Sequence, residues 1–129
     1  MKSITICGSR RFIKEITKFS NSLEALGVTV FCPRFGFRDN DSWDALDEEH
    51  KKLVFLGLAN EHFQKIRKSD AVYIYNKDGY SGASVTLEIG FAHALDKPIY
   101  ALCHDDEWGR DFIFEEIIKT PEKLAQRLK

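Results

Sequence analysis

The chain has 129 residues with 19 Lys plus Arg against 20 Asp plus Glu, a balance that leaves no bulk field to hold a nucleic-acid polymer or an anionic membrane surface. No apolar run approaches the roughly 20 residues that span a bilayer, and the opening Met1–Ser9 is too short and polar for a signal peptide. Three cysteines, Cys7, Cys32 and Cys103, form no CxxC pair, so the expectation is a reduced, cytoplasmic protein with one domain over residues 1–129.

Short apolar runs alternate with helix-length periodic segments, which predicts a three-layer α/β/α fold on a flavodoxin-like or Rossmann-like parallel sheet of four to five strands. Ser3 to Cys7 is the expected first strand. Phe12 to Leu26 follows as a helix with Ile13, Ile16, Phe19, Leu23 and Leu26 facing inward, stopped by Gly27. Val28 to Cys32 is the second strand, and Pro33 to Asp41 has a loop composition. Trp43 to Leu58 and Ala59 to Lys68 are helical with a break near Gly57, as one kinked helix or two. The third strand is Ala71 to Tyr75, the next helix Ser84 to Leu95, and Lys97 to Leu102 holds a fourth strand with Pro98 at its entrance. Glu116 to Lys119 is a short edge strand. Thr120 then caps a last helix with Pro121 at its first position and Leu124 and Leu128 inward.

Two loops leave strands on the same rim of such a sheet, where small ligands bind. Cys7-Gly8-Ser9-Arg10-Arg11 offers a glycine for close backbone approach, a capping serine and two forked cations, which suits a phosphate or simply opens a helix. It is neither GxGxxG nor a Walker loop, so dinucleotide and ATPase readings lack their signatures. Asn76 to Ala83 carries two glycines and Tyr80, enough to close over a ribose or base, or to serve as a plain connection.

Glu88 is the residue that stands out. With Ser84 as N-cap it falls at the fourth helical position, where the helix start favours the ionised carboxylate and lowers its pKa. A helix-start glutamate can also merely complement the dipole. Here Val85, Leu87, Ile89, Phe91 and Ala92 make the helix apolar on most sides, which argues against a solvated decoration.

The Cys7-Gly8-Ser9 opening with its following arginine, the strand begun by Asp70, and the spacing of Gly82, Ser84, Glu88, Gly90, Ala92, Ala94, Lys97, Pro98 and Ile99 resemble the nucleoside 2-deoxyribosyltransferase superfamily. That superfamily includes 2'-deoxynucleoside 5'-monophosphate N-glycosidases, and the resemblance runs from residue 3 to about residue 102. It implies that Glu88 is a catalytic nucleophile attacking the anomeric carbon of a nucleoside or 5'-monophosphate, forming a glycosyl-enzyme passed to a second base or to water. Gly8, Ser9, Arg10 and Arg11 would line the sugar-phosphate side, with Ser84 and the Tyr80–Gly82 loop at the 5'-phosphate and sugar. The resemblance further implies a homodimer or larger homo-oligomer.

Three positions depart from the superfamily pattern: Thr5 in place of Tyr, His62 in place of Asp, and Gly82 in place of Asp or Ser. His62 either substitutes for the missing carboxylate, protonating or hydrogen-bonding a base near neutral pH, or sits on a helix flank. Asp70, at the opposite rim, reads as structural. Phe35, Phe37 and Trp43 offer stacking surfaces, and Arg34 or Arg38 a phosphate contact, although each aromatic also suits a core or interface. His50, His93 and His104 lack zinc-binding spacing, so no metal or other cofactor is expected. The alternative to an enzyme is a non-catalytic nucleotide-binding module. A flavodoxin-like electron carrier or phospho-receiver fits the fold but lacks the acidic cluster a receiver needs after its first strand.

Overall fold

A computed structural model describes residues 2–34 and 40–129. The expectations for Phe35, Phe37 and Arg38 lie outside the described residues. Five strands form one all-parallel sheet: β1 Ser3–Gly8, β2 Thr29–Phe31, β3 Ala71–Tyr75, β4 Ile99–Ala101 and β5 Glu116–Ile117, in the order β2-β1-β3-β4-β5. The winding reverses between β1 and β3, the crevice where open α/β sheets place ligands.

Side-chain alternation on the two central strands explains the layering. Ile4 and Ile6 of β1 with Ala71 and Tyr73 of β3 face one way and pack under α1 Ile13–Ala25 and α6 Pro121–Arg127. Cys7 of β1 with Val72 and Ile74 of β3 face the other way, toward α3 Glu48–Lys68 and α4 Ala83–Ala94. Each buried Ile contributes about 1.5–3 kcal/mol over an exposed one. Ile66 of α3 and Ile89 of α4 therefore hold the site-bearing helices firmly to the sheet. No helix among the described residues is long and apolar enough to cross a membrane.

Local chemistry sets the helix ends. Gly27, at φ +89°, closes α1: its N–H donates to Glu24 and that of Val28 to Leu23, the left-handed termination only glycine adopts cheaply. Thr120 caps α6 by accepting from the Lys123 N–H, with Pro121 at the first position. Several sequence expectations are corrected. Ile13 and Leu26 are 37% and 40% exposed, because the buried stripe of α1 is Ile16, Phe19, Ser20 and Leu23, while Leu26 sits at the cap where the chain turns away. The helical segment begins at Asn40, inside the expected loop, as α2 Asn40–Asp44. The break falls before Glu48 and not at Gly57: Asp47 accepts from the His50 N–H at 2.8 Å and starts α3. Glycine in a helix costs only about 1 kcal/mol, less than twenty other helical residues recover. One more short helix, α5 Trp108–Asp111, lies between β4 and β5.

At the amino ends of the strands, Asp70 accepts from the Ser3 N–H and hydroxyl at 2.8 and 3.1 Å, the structural role expected of it. Lys97 donates to the carbonyls of Arg67 and Ser69, closing the C-terminus of α3.

Candidate active site at the carboxyl rim

The cavity at the carboxyl ends of β1 and β3 holds about 320 Å³, within the range of small-molecule sites. Gly8, Ser9 and Arg10 form one wall, α3 supplies Phe55, Leu58, Ala59, Glu61, His62 and Lys65, and α4 supplies Gly82 to Val85, Leu87 and Glu88. Phe63 of α3, Pro33 and Arg34 complete it. Of the nine residues singled out from sequence, Gly8, Ser9, Arg10, His62, Gly82, Ser84 and Glu88 converge here. Arg11 and Tyr80 do not line it. They engage each other, the guanidinium 3.6 Å from the ring centroid, and Tyr80 also packs edge-on against Phe12.

Glu88 of α4 is approached from two other elements, α3 and β1. Its Oε2 lies 3.5 Å from His62 Nε2, its side chain 14% exposed, and the same Nε2 is 3.4 Å from the Cys7 sulfur. The Cys7 sulfur also lies within 4.8 Å of a Glu88 oxygen. His62 is 6% exposed, and its Nδ1 has no hydrogen-bond partner among the described residues.

Burial governs the ionisation here. It pushes the Glu88 carboxyl up from 4.5 to about 8, only partly offset by the Cys7 thiol. The same burial, with the nearby Lys65 charge, pushes His62 down from 6.5 to about 4. At neutral pH the pair is a neutral imidazole beside a protonated carboxyl, not an ion pair. Two expectations are thereby corrected. Gly82, not Ser84, is the N-cap, because the Thr86 N–H donates to its carbonyl at 3.0 Å. Glu88 thus sits at the sixth helical position, beyond the first turn in which the dipole acts, and its pKa rises where a fall was expected. His62, held neutral, is no standing acid near pH 7.

The remaining residues are explained by packing and capping. A Cβ on Gly8 would come within 2.6 Å of Ile16 Cδ1 and 3.2 Å of the Tyr75 carbonyl, so this glycine lets β1 approach α1 and β3. Ser9 caps the 3₁₀ turn Arg10–Phe12, accepting from the Arg11 N–H. Gly82 provides no side-chain cap, so the first turn of α4 opens onto the cavity without one. Thr86 is steadied by Arg110, whose fork is held by Asp105 at 2.8 and 2.9 Å. Thr5 lies off the cavity wall, its hydroxyl donating to the Lys65 carbonyl at 2.9 Å. Trp43 packs edge-on against Phe55.

Sequence reasoning missed Cys7 as a neighbour of Glu88, and missed the apolar and charged wall of α3. The wall has a readable signal: Phe55, Leu58, Ala59, His62 and Lys65 recur at three- and four-residue spacing. Glu61 bridges Arg34 at 3.1 Å and Lys65 at 3.2 Å, and those cations hold its carboxyl below the usual range.

No protein-family model and no curated protein matches the sequence. Solved structures do match in fold. A 2-deoxyribosyltransferase from the psychrotolerant bacterium Bacillus psychrosaccharolyticus is similar with a TM-score of 0.68 at 17% identity, covering 95% of this chain and 90% of that one. A conserved protein from Enterococcus faecalis V583 is similar with a TM-score of 0.64 at 17% identity, covering 99% and 97%. The chain therefore has a nucleoside 2-deoxyribosyltransferase-like fold.

Proposed function

We propose that this chain, acting as one domain over residues 1–129, cleaves or transfers at the N-glycosidic bond of a nucleoside or its 5'-monophosphate, with Glu88 as the nucleophile. The observation that carries the reading is the position of Glu88: a carboxyl group on the wall of a nucleoside-sized cavity, at the sheet's winding reversal, with an imidazole nitrogen 3.5 Å away. The similar fold of a 2-deoxyribosyltransferase supports it.

The protonated state of Glu88 gives His62 its role. As positive charge develops at the anomeric carbon and favours the carboxylate, the carboxyl proton passes to His62 Nε2 in concert with attack of the carboxylate on that carbon. The C–N bond breaks with its electron pair leaving on the base, which takes the proton back from the imidazolium. A glycosyl ester on Glu88 and a neutral free base result, and water or a second base then resolves the ester. The open first turn of α4 at Gly82 to Ser84, with Arg10 on the facing wall, suits a 5'-phosphate.

Incubation with deoxynucleosides and their 5'-monophosphates, followed by chromatography, should show free base with the wild type and none above background with Glu88→Gln. Binding of nucleotide without any base release would replace this reading with that of a nucleotide-binding module. The assembly we propose is a homodimer or larger, because Leu53, Leu56 and Leu87 near the cavity are 64%, 59% and 66% exposed. Light scattering that finds a monomer at micromolar concentration rejects this assembly.

A further inference from the structure

Cys7, His62 and Glu88 come from β1, α3 and α4, and one ligand atom from each lies within 4.8 Å of the other two. The sulfur stands 3.4 Å from His62 Nε2, and Nε2 stands 3.5 Å from Glu88 Oε2. Around a tetrahedral zinc ion, with sulfur at about 2.3 Å and nitrogen and oxygen at about 2.0–2.1 Å, neighbouring ligand atoms are about 3.3–3.6 Å apart. These two separations match edges of that tetrahedron, and the third, from the sulfur to a Glu88 oxygen, lies within 4.8 Å and closes on binding. No partner among the described residues fixes the tautomer of His62 at Nδ1, and with the proton on that nitrogen the Nε2 lone pair faces Cys7 and Glu88.

Charge and access agree with this geometry. A thiolate, a carboxylate and a neutral imidazole carry two negative charges in total, which a divalent cation cancels, so the loaded cluster is neutral in a buried setting. Thiolate and imidazole select zinc over magnesium or calcium. His62 and Glu88 line the cavity, which provides an entry path and room for a fourth, non-protein ligand.

We propose that Cys7, His62 and Glu88 form a binding site for one zinc ion at the floor of the cavity, with its fourth position open. Binding displaces the thiol proton and any proton on Glu88 into solvent, with no change of oxidation state. The site stands independently of the glycosidic reaction. Where both hold, they are mutually exclusive, because the ion occupies the Glu88 oxygen that would attack the sugar.

The test uses the full chain, freed of metal with a chelator and then titrated with Zn²⁺ against a chromophoric chelator, and separately with Co²⁺. One equivalent should bind per chain, and the cobalt form should show a thiolate-to-metal charge-transfer band that Cys7→Ser abolishes. Loss of a direct ligand should weaken zinc binding by more than about 100-fold in Cys7→Ser and in His62→Gln, beyond the usual effect of an outer-shell change. His50→Gln, at the exposed His50–Asp47 pair, should bind as the wild type does. Circular dichroism checks folding. If Cys7→Ser does not fold, His62→Gln and the wild-type cobalt spectrum decide the matter. Absence of stoichiometric binding, a cobalt complex without the thiolate band, or undiminished affinity in folded His62→Gln overturns the proposal. Base release by the metal-free chain with no zinc binding sinks this inference alone, and zinc binding with no base release by the metal-free chain sinks only the reaction.

Discussion

Two buried polar clusters lie on the same face of the sheet, two residues apart along β1 and one turn apart along α3, one toward the amino end of the strand and the other toward its carboxyl end. At the amino end the Thr5 hydroxyl donates to the Lys65 carbonyl at 2.9 Å and stands 2.8 Å from Ser69 Oγ, which itself reaches the carbonyls of Ile66 and Ala71. Every partner there is neutral and supplied by the fold. Two residues along β1, Cys7 lies 3.4 Å from His62, which lies 3.5 Å from Glu88, so that three titratable groups meet with one ring nitrogen left over. Buried polarity completed from within is architecture, while buried polarity that awaits a ligand, a proton or an ion is a site.

The contrast is broken most directly through activity. Glu88→Gln keeps the shape of the side chain and removes the nucleophile, so base release should fall by roughly three orders of magnitude or more. An undiminished rate in that variant would assign the carboxyl-end cluster to architecture as well.

A second effect is readable without substrate. The Glu88 carboxyl has an ordinary value of 4.5 and a folded value of about 8. Between those values the unfolded chain has lost a proton that the folded chain keeps, so stability falls as pH rises. His62 works in the opposite sense: with 6.5 ordinarily and about 4 when folded, its unfolded form binds the extra proton and stability rises with pH across that window. The two slopes oppose each other below pH 6.5. Above it Glu88 acts without that opposition, and one proton at about 1.4 kcal/mol per pH unit gives a loss of about 2 kcal/mol between pH 6.5 and 8. Urea unfolding should show that fall in the wild type, and Glu88→Gln should abolish it while exposing the His62 rise at lower pH.

At the amino end, Thr5→Val removes one satisfied hydroxyl from a fully buried position. The Lys65 carbonyl still accepts the Ser69 N–H, and Ser69 Oγ retains its own acceptors. The loss should therefore be about 1 kcal/mol by denaturant unfolding, with base release and the slope above pH 6.5 unchanged. A large loss of activity would join the two clusters into one functional unit.

Much of this arrangement was legible in the sequence, because it depends on local periodicity. Alternation in Ser3–Gly8 and Ala71–Tyr75 assigns side chains to faces, and Gly27 and the Thr120–Pro121 pair mark helix ends unaided. Glu88 was conspicuous as a carboxyl group within an apolar helix. Its proton was not, since a dipole effect of about 0.3–1 kcal/mol confined to the first turn is outweighed by desolvation once packing buries the group. Cys7 faces the α3 side by parity. Which α3 residue it meets depends on how that helix is rotated about its axis, a property set by Ile66 and its distant partners on the sheet.

The smallest predicted effect tests whether the open helix start belongs to the site. Ser9, Asp47 and Thr120 cap their own helices, whereas α4 begins at Gly82 without a side-chain cap, on the cavity wall. Gly82 has φ −78° and ψ −177°, in the extended region that Ser9 also adopts, and an added Cβ would make only an ordinary contact at 3.4 Å with the Tyr80 hydroxyl. Gly82→Ser should therefore fit and cap α4, raising stability by a few tenths of a kcal/mol, about 1–2 °C in Tm. If the first-turn amides hold a 5'-phosphate, that hydroxyl competes for them, and affinity for a 5'-monophosphate should drop while affinity for the matching nucleoside does not. Equal changes for both ligands would place the phosphate elsewhere and return the first turn of α4 to the side of architecture.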